Sequence, residues 1–207
     1  MPEPLETPEG RFQRQLEFLF EIDKVKSIVR KTMLFDGSRR ENDAEHSWHL
    51  ALMAIVLKEY ANEEINLGRV VKMVLMHDLV EIDAGDVFVY APTRSEQSAK
   101  EEAAAQRIFG ILPSDQQQEY LEIWREFERK ETIESKFANA LDRIEPLLQN
   151  YKNRGQSWIE NGIPIQSVLA RNQPIEGGSK FLWERISEIL EECIALGYLK
   201  HEYPKSS

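Results

Sequence analysis

One cysteine, Cys193, is present in 207 residues, so no internal disulfide can staple the chain and a core must be held by burial. A chain of about 200 residues can bury roughly 70% of its unfolded surface, which is enough without a staple. No apolar run approaches the roughly 20 residues that span a bilayer. The 42% hydrophobic content is instead divided among short amphipathic segments. The opening MPEPLETPEG has neither the basic start nor the apolar stretch of an export signal. These absences set the expectation of a cytoplasmic protein with no membrane partner. Positive charge is also in deficit: 26 Lys+Arg face 36 Asp+Glu, a formal net charge of -10. That balance disfavours a broad phosphate-backbone footprint, and no nucleic-acid polymer is expected as a partner. Internal repeats and sustained two-residue alternation are lacking, which leaves helices as the expected elements.

Apolar residues recur at helical spacing in most of the chain. Phe12, Leu16, Leu19, Phe20, Ile28 and Val29 predict a first helix near 11–33. After the polar break FDGSRREND, the stripe Trp48, Leu52, Ile55, Val56 and Tyr60 predicts a helix near 43–61 with His46 in its first turn. Asn66 can cap a third helix, whose apolar run LGRVVKMVLMHDL delivers His77 and Asp78 at its end. Glycine and proline in EIDAGDVFVYAP then break the pattern. TRSE and SDQQ match the capping-box spacing for helices near 94–109 and 115–130. Further helices are expected near 131–152, 164–171 and 178–196, with GQSWIENGIP as a loop. Pro146 removes an amide donor inside the first of these and predicts a kink. Trp48 and Phe137 are expected in the core; Trp124, Phe127, Trp158, Phe181 and Trp183 in the core or at a dimer contact.

Only four histidines occur, and two segments group them with acids: AEHSWH with His46 and His49, and MHDLVEIDAGD with His77. The first pair alone is ambiguous, since it suits capping, aromatic packing or metal ligation. The second segment places His77, Asp78, Glu81, Asp83 and Asp86 at the end of an apolar helix. Burying so many ionisable groups is costly unless a cation turns their repulsion into coordination. Asp142 lies inside the apolar segment FANALDRIEPLL, where it suits a metal or a salt bridge with Arg143.

His46 in NDAEHS, the His77-Asp78 doublet in MHDLVE, Asp86 in AGD and Asp142 in NALDR together resemble the HD-domain metallohydrolases, in their small 5'-deoxynucleotidase-like branch. The likeness spans about residues 12–152. It implies an all-α fold, a single HD-domain helical bundle over 12–196 with a C-terminal helical extension. It also implies His46, His77, Asp78 and Asp142 as ligands of one divalent ion such as Mn, Co, Fe, Ni or Zn. By the same resemblance Glu81 orients water or neighbouring side chains, Asp86 assists proton transfer to the leaving sugar oxygen, and Arg30 clamps phosphate. The stretch between Arg30 and His46 is longer than that branch has, so Arg39 or Arg40 is an alternative clamp. His49 is expected to pack or to hydrogen-bond beside the ligands, Asp83 to sit in a turn, and His201 to have no catalytic role.

The implied reaction is metal-dependent hydrolysis of deoxynucleoside 5'-monophosphates to nucleoside and inorganic phosphate, and the branch implies a homodimer. Two alternatives stay open: a nucleotide triphosphohydrolase or phosphodiesterase, and a noncatalytic metal-binding regulatory helical protein.

Overall fold

The computed structural model describes residues 7–86 and 94–201. Helix α1 (Pro8–Ile22) begins with the Thr7 hydroxyl accepting from the Gly10 amide and proline as its first residue. The helix expected near 11–33 ends early. A 3-10 turn (Asp23–Ser27) follows, and then β1 (Val29–Met33) pairs antiparallel with β2 (Arg40–Asn42). Val29 and Thr32 are β-branched, stiff in a helix and suited to a pleated strand. Gly37, at φ +69°, turns the hairpin. Arg30 therefore projects from a strand, not from a helix.

Helix α2 (Asp43–Leu57) starts on a reciprocal capping box that periodicity had not revealed: the Asn42 carboxamide accepts from the Glu45 amide and the Glu45 carboxylate accepts from the Asn42 amide. Helix α3 (Leu67–Met76) is capped by Asn66 as expected. It tightens into a 3-10 turn (His77–Val80), runs on through the single turn α4 (Glu81–Ala84), and stops at Gly85 with φ +75°. Helices α5 (Arg94–Phe109), α6 (Ser114–Arg129) and α7 (Ile133–Lys152) complete the central bundle. The SDQQ capping box does not form, because Ser114 is already helical and Pro113 precedes it without a side-chain cap. Thr93 of TRSE lies outside the described residues. Thr132 supplies the cap of α7.

Helix α7 continues through Pro146, which leaves the Asp142 carbonyl without its usual amide donor but does not interrupt the helix. The expected GQSWIENGIP loop contains a short helix, α8 (Gln156–Glu160), because Trp158 is buried and anchors it. Then come α9 (Ile165–Asn172), α10 (Ile175–Gly178) and α11 (Lys180–Ala195), the last capped by Ser179. Helix α7 is the central rod, packed against α2, α3, α6, α10 and α11. Phe137, Ala138, Leu141 and Ile144 project from it into the main core with Leu50, Val70, Met73 and Leu190. A second apolar cluster joins Phe18, Val80, Ile108, Phe109 and Trp124 beneath α1 and α5. The molecule is an all-α bundle with helices added beyond that central set and one small hairpin.

Helix α2 buries the opposite face from the one its stripe predicted. Leu50, Ala51, Met53 and Ala54 face the core, while Trp48 is 62% and Val56 68% exposed, with Leu52 and Ile55 also exposed. The helix is apolar around most of its circumference, so periodicity could not choose the buried side. Polar tethers at Asp43 and His46 choose it instead. Phe137, Trp124, Phe127 and Trp158 are buried as expected, whereas Phe181 is exposed and stacks on Tyr60. Among the described residues no helix is long and apolar enough to cross a membrane.

Candidate metal centre

The capping box at Asn42 fixes the start of α2, and His46 follows in its first turn, fully buried. The end of α3 brings His77 and Asp78 against it, and α7 brings Asp142 from the other side. His46 Nε2 lies 3.1 Å from Asp142 Oδ1, and His77 Nε2 lies 3.6 Å from the same oxygen. Donor atoms of His46, His77 and Asp142 fall within 4.8 Å of one another, a group able to hold an ion. Asp78 stands beside them, with Oδ1 3.2 Å from His77 Nε2 and Oδ2 3.9 Å from His46 Nε2. With bonds of roughly 2.1 Å and angles of about 90–109°, neighbouring donors around one ion stand roughly 3.0–3.4 Å apart.

The hydrogen bonds support the same reading. His77 Nδ1 donates to the Val74 carbonyl at 2.9 Å, which turns Nε2 inward. That buried Nε2 has no hydrogen-bond partner, although two carboxylates lie close to it. His46 Nδ1 is likewise engaged, 3.2 Å from Glu145 Oε2, leaving Nε2 for the cluster. The donor set of two imidazoles and two carboxylates fits a divalent transition metal.

Charge around the cluster is concentrated. Burial alone would lower the His46 pKa, but hydrogen bonds to Asp142 and Glu145 raise it to about 10. Burial opposes ionisation of Glu145 too, yet His46 and His49 hold it at about 2. Asp142 is driven well below its ordinary value, since the two imidazoles outweigh its burial. Burial and the nearby Glu145 push Glu41 up to about 7; burial and Asp78 do the same to Asp43. Glu81 is raised to about 10 by burial and then by Asp78 and Asp86, and its Oε2 is buried without a partner. Asp86 is also raised, mainly by burial. A dication placed among these groups would relieve repulsion that is otherwise met by retained protons.

Arg30 reaches the cluster from β1. Its Nη1 lies 2.8 Å from Asp78 Oδ2 and 3.2 Å from Asp43 Oδ1, and its Nε lies 3.6 Å from Glu41 Oε2. Burial would weaken its charge, but Asp78, Asp142, Asp43 and Asp86 raise its pKa above the ordinary value. The alternative clamps are elsewhere: Arg39 pairs with Glu45 on the surface, and Arg40 is exposed. His49 packs edge-on to Phe35, 3.4 Å from Glu145. Asp83 is tied to Arg107, and His201 meets Gln166 far along the chain.

Sequence reasoning missed Glu41, Asp43 and Glu145. Glu145 carried a usable signal, because it lies three residues after Asp142 and therefore on a neighbouring part of the same helix face. Glu41 and Asp43 carried none, since they looked like part of a polar loop until the hairpin folded them inward.

Comparison with known proteins places these residues in a family. A model described as HD domain matches residues 22–183. The chain is 34% identical to the bovine (Bos taurus) 5'-deoxynucleotidase HDDC2 over 152 residues, covering 70% of this chain and 71% of that one. It is 32% identical to the human (Homo sapiens) protein of the same name, covering 65% of each. Among solved structures, a predicted metal-dependent phosphohydrolase from Magnetospirillum magnetotacticum MS-1 superposes with a TM-score of 0.90 at 47% identity, covering 95% of this chain and 98% of that one. With the match running from the end of α1 into α11, through every residue of the cluster, the chain belongs to the HD domain family, in a branch related to the 5'-deoxynucleotidase HDDC2 homologues.

Proposed function

We propose that the substrates of this metal-dependent HD-domain phosphohydrolase are deoxynucleoside 5'-monophosphates, released as nucleoside and inorganic phosphate. The observation that carries the reading is the convergence of His46, His77, Asp78 and Asp142 beside Arg30, Glu81 and Asp86. The curated relatives named 5'-deoxynucleotidase support the substrate class.

His46, His77, Asp78 and Asp142 would hold the ion, which supplies charge to polarise a phosphoryl oxygen and makes water a better nucleophile. Arg30 presents a planar donor fork to the same phosphoryl oxygens. Glu81, raised in pKa and without a partner at Oε2, orients the attacking water. As water oxygen bonds to phosphorus, the bond from phosphorus to the sugar oxygen breaks. Asp86, whose raised pKa favours its acid form, gives its proton to that departing oxygen. Glu145 holds His46 from behind and fixes which nitrogen faces the ion.

Phosphate release from a panel of deoxy- and ribonucleoside mono-, di- and triphosphates, with the protein reconstituted in turn with Mn, Co, Fe, Ni and Zn, tests the reading. Metal-dependent turnover of deoxynucleoside monophosphates is expected. Triphosphate release without monophosphate turnover would overturn the substrate class, and no metal-dependent hydrolysis of any compound would favour the regulatory alternative. The exposed stripe Trp48, Leu52, Ile55 and Val56 on α2 also supports the homodimer reading, because so contiguous an apolar face suits a protein contact. Light scattering should report a dimer that Val56→Glu converts to monomer.

A further inference from the structure

A cavity of about 690 Å³ opens beside the reaction centre between α7, α10 and the start of α11. Its wall carries Lys130, Lys136, Arg143 and Lys180 against two carboxylates, Glu63 and Glu176. In a chain of net charge -10 this local excess of cations is unusual and marks a place for an anion. The neutral polar groups of the wall are already engaged. Asn139 donates to the Phe127 and Ser135 carbonyls; Asn62 donates to the Glu176 and Gly177 carbonyls and accepts from the Lys180 amide. Gln173 donates to Glu176. By contrast, Lys130, Lys136 and Lys180 have no carboxylate oxygen within 4.0 Å among the described residues, whereas Lys24, Lys26 and Lys72 each have one. The neutral frame is built, and three of the lysines that line it have no carboxylate partner among the described residues.

A second observation ties this cavity to the metal centre. Arg143 lines it and also lines a smaller space of about 70 Å³ bounded by Arg30, Thr32, Asp142 and Arg171. The Thr32 hydroxyl is buried there without a hydrogen-bond partner. The small space suits one phosphoryl group. The larger one has the size of a small-molecule site. Lys136 and Arg143 are seven residues apart on α7, roughly 10 Å along the helix, so the cations are spread along the cavity, and a ligand with two separated phosphates meets them with less bending of the side chains than a single phosphate does.

We infer that the larger cavity binds a nucleotide-sized molecule carrying at least two phosphate groups, held by Lys130, Lys136, Arg143 and Lys180. The site is separate from the four candidate metal ligands, and its occupancy does not depend on which phosphate ester the centre hydrolyses.

Isothermal titration of the metal-loaded protein with adenosine 3',5'-bisphosphate tests it, with inorganic phosphate and hexaglutamate as comparison ligands. Saturable binding of the bisphosphate is expected, weakened at least tenfold in the Lys136→Gln/Lys180→Gln double variant. Metal content and the rate of deoxynucleoside monophosphate hydrolysis should stay unchanged in that variant. Should the double variant fail to fold, each single variant is expected to weaken binding at least threefold. No saturable binding at 1 mM would overturn the inference. Undiminished affinity in the variants would do the same, since the ligand would then sit on the metal centre. Equal affinity for inorganic phosphate would refute the need for two phosphate groups, and tighter binding of hexaglutamate would reassign the cavity to an acidic peptide. Because binding is read as heat and not as turnover, a protein that hydrolyses no monophosphate can still meet the expectation, and an active one can still fail it.

Discussion

Replacing Glu145 by glutamine separates the role of an orienting carboxylate from that of a ligand. The Glu145 side chain is fully buried, with Oε2 3.2 Å from His46 Nδ1 and Oε1 3.4 Å from His49 Nδ1. Glutamine keeps the volume and can still accept from His46, but it loses the negative charge that makes the imidazole a stronger donor to an ion. Changes of this kind cost about 10–100-fold in metal affinity, which is about 1.4–2.8 kcal/mol. At a free metal concentration 100 times the wild-type Kd, binding stabilises the fold by about 2.7 kcal/mol. A tenfold weaker site retains about half of that. For a chain of this size the lost stabilisation, about 1.3 kcal/mol, corresponds to a metal-induced rise in Tm smaller by about 3–5 °C. Chelator competition measures the affinity, and calorimetric melting with and without metal measures the linked stability. An affinity within twofold of wild type, in a variant that melts cooperatively, would refute the claim that Glu145 acts through His46.

Stability of the metal-free protein should fall as pH rises. Folding raises Glu41 and Asp43 to about 7 and Glu81 and His46 to about 10, so the folded state binds more protons than the unfolded one from about pH 4.5 to 10. The His46 contribution is complete below its unfolded pKa near 6.5 and disappears through about 10; the raised carboxylates add a penalty as they ionise. Lowered Asp142 and Glu145 oppose this only in acid. Melting from about pH 5.5 to 9 should therefore show a falling Tm that bound metal largely suppresses; a flat or rising metal-free profile would contradict it. Asp86→Asn should reduce kcat by about 100-fold or more while changing metal affinity by less than threefold, as loss of a proton donor would. Equal turnover at saturating metal would remove Asp86 from that role. Phe137→Ala empties a fully buried position on α7 and should cost about 3–5 kcal/mol, read by urea denaturation. Gly155→Ala should cost about 2 kcal/mol or more, because φ is +74° and the added carbon would lie 2.1 Å from the Tyr198 carbonyl oxygen.

Helices α3 and α11 were legible because each couples an apolar stripe to a clear start, at Asn66 and at Ser179. The face of α2 was not, since Trp48, Leu52, Ile55 and Val56 are as apolar as the residues buried in their place. Strand β1 escaped for a similar reason: Ile28 and Val29 extend the spacing of α1, and only pairing with β2 shows that the chain is extended there. Arg30 was named without its surroundings. Its contacts with Asp43 and Asp78 depend on the hairpin, and no local pattern encodes them.

From the sequence alone came the residue chemistry: scarce histidines set beside acids, a proline four residues after Asp142, and an all-helical expectation, because these are properties of near neighbours along the chain. Tertiary structure decided which of them meet. His46, His77 and Asp142 are separated by 31 and 65 residues in sequence, and only the packing of α2, α3 and α7 brings their donor atoms within 4.8 Å. The same packing enlisted Glu145 and Glu41, and set Lys136, Arg143 and Lys180 around one cavity in an acidic protein. Local periodicity reports which side of a helix prefers burial; it carries no information about what another helix places opposite.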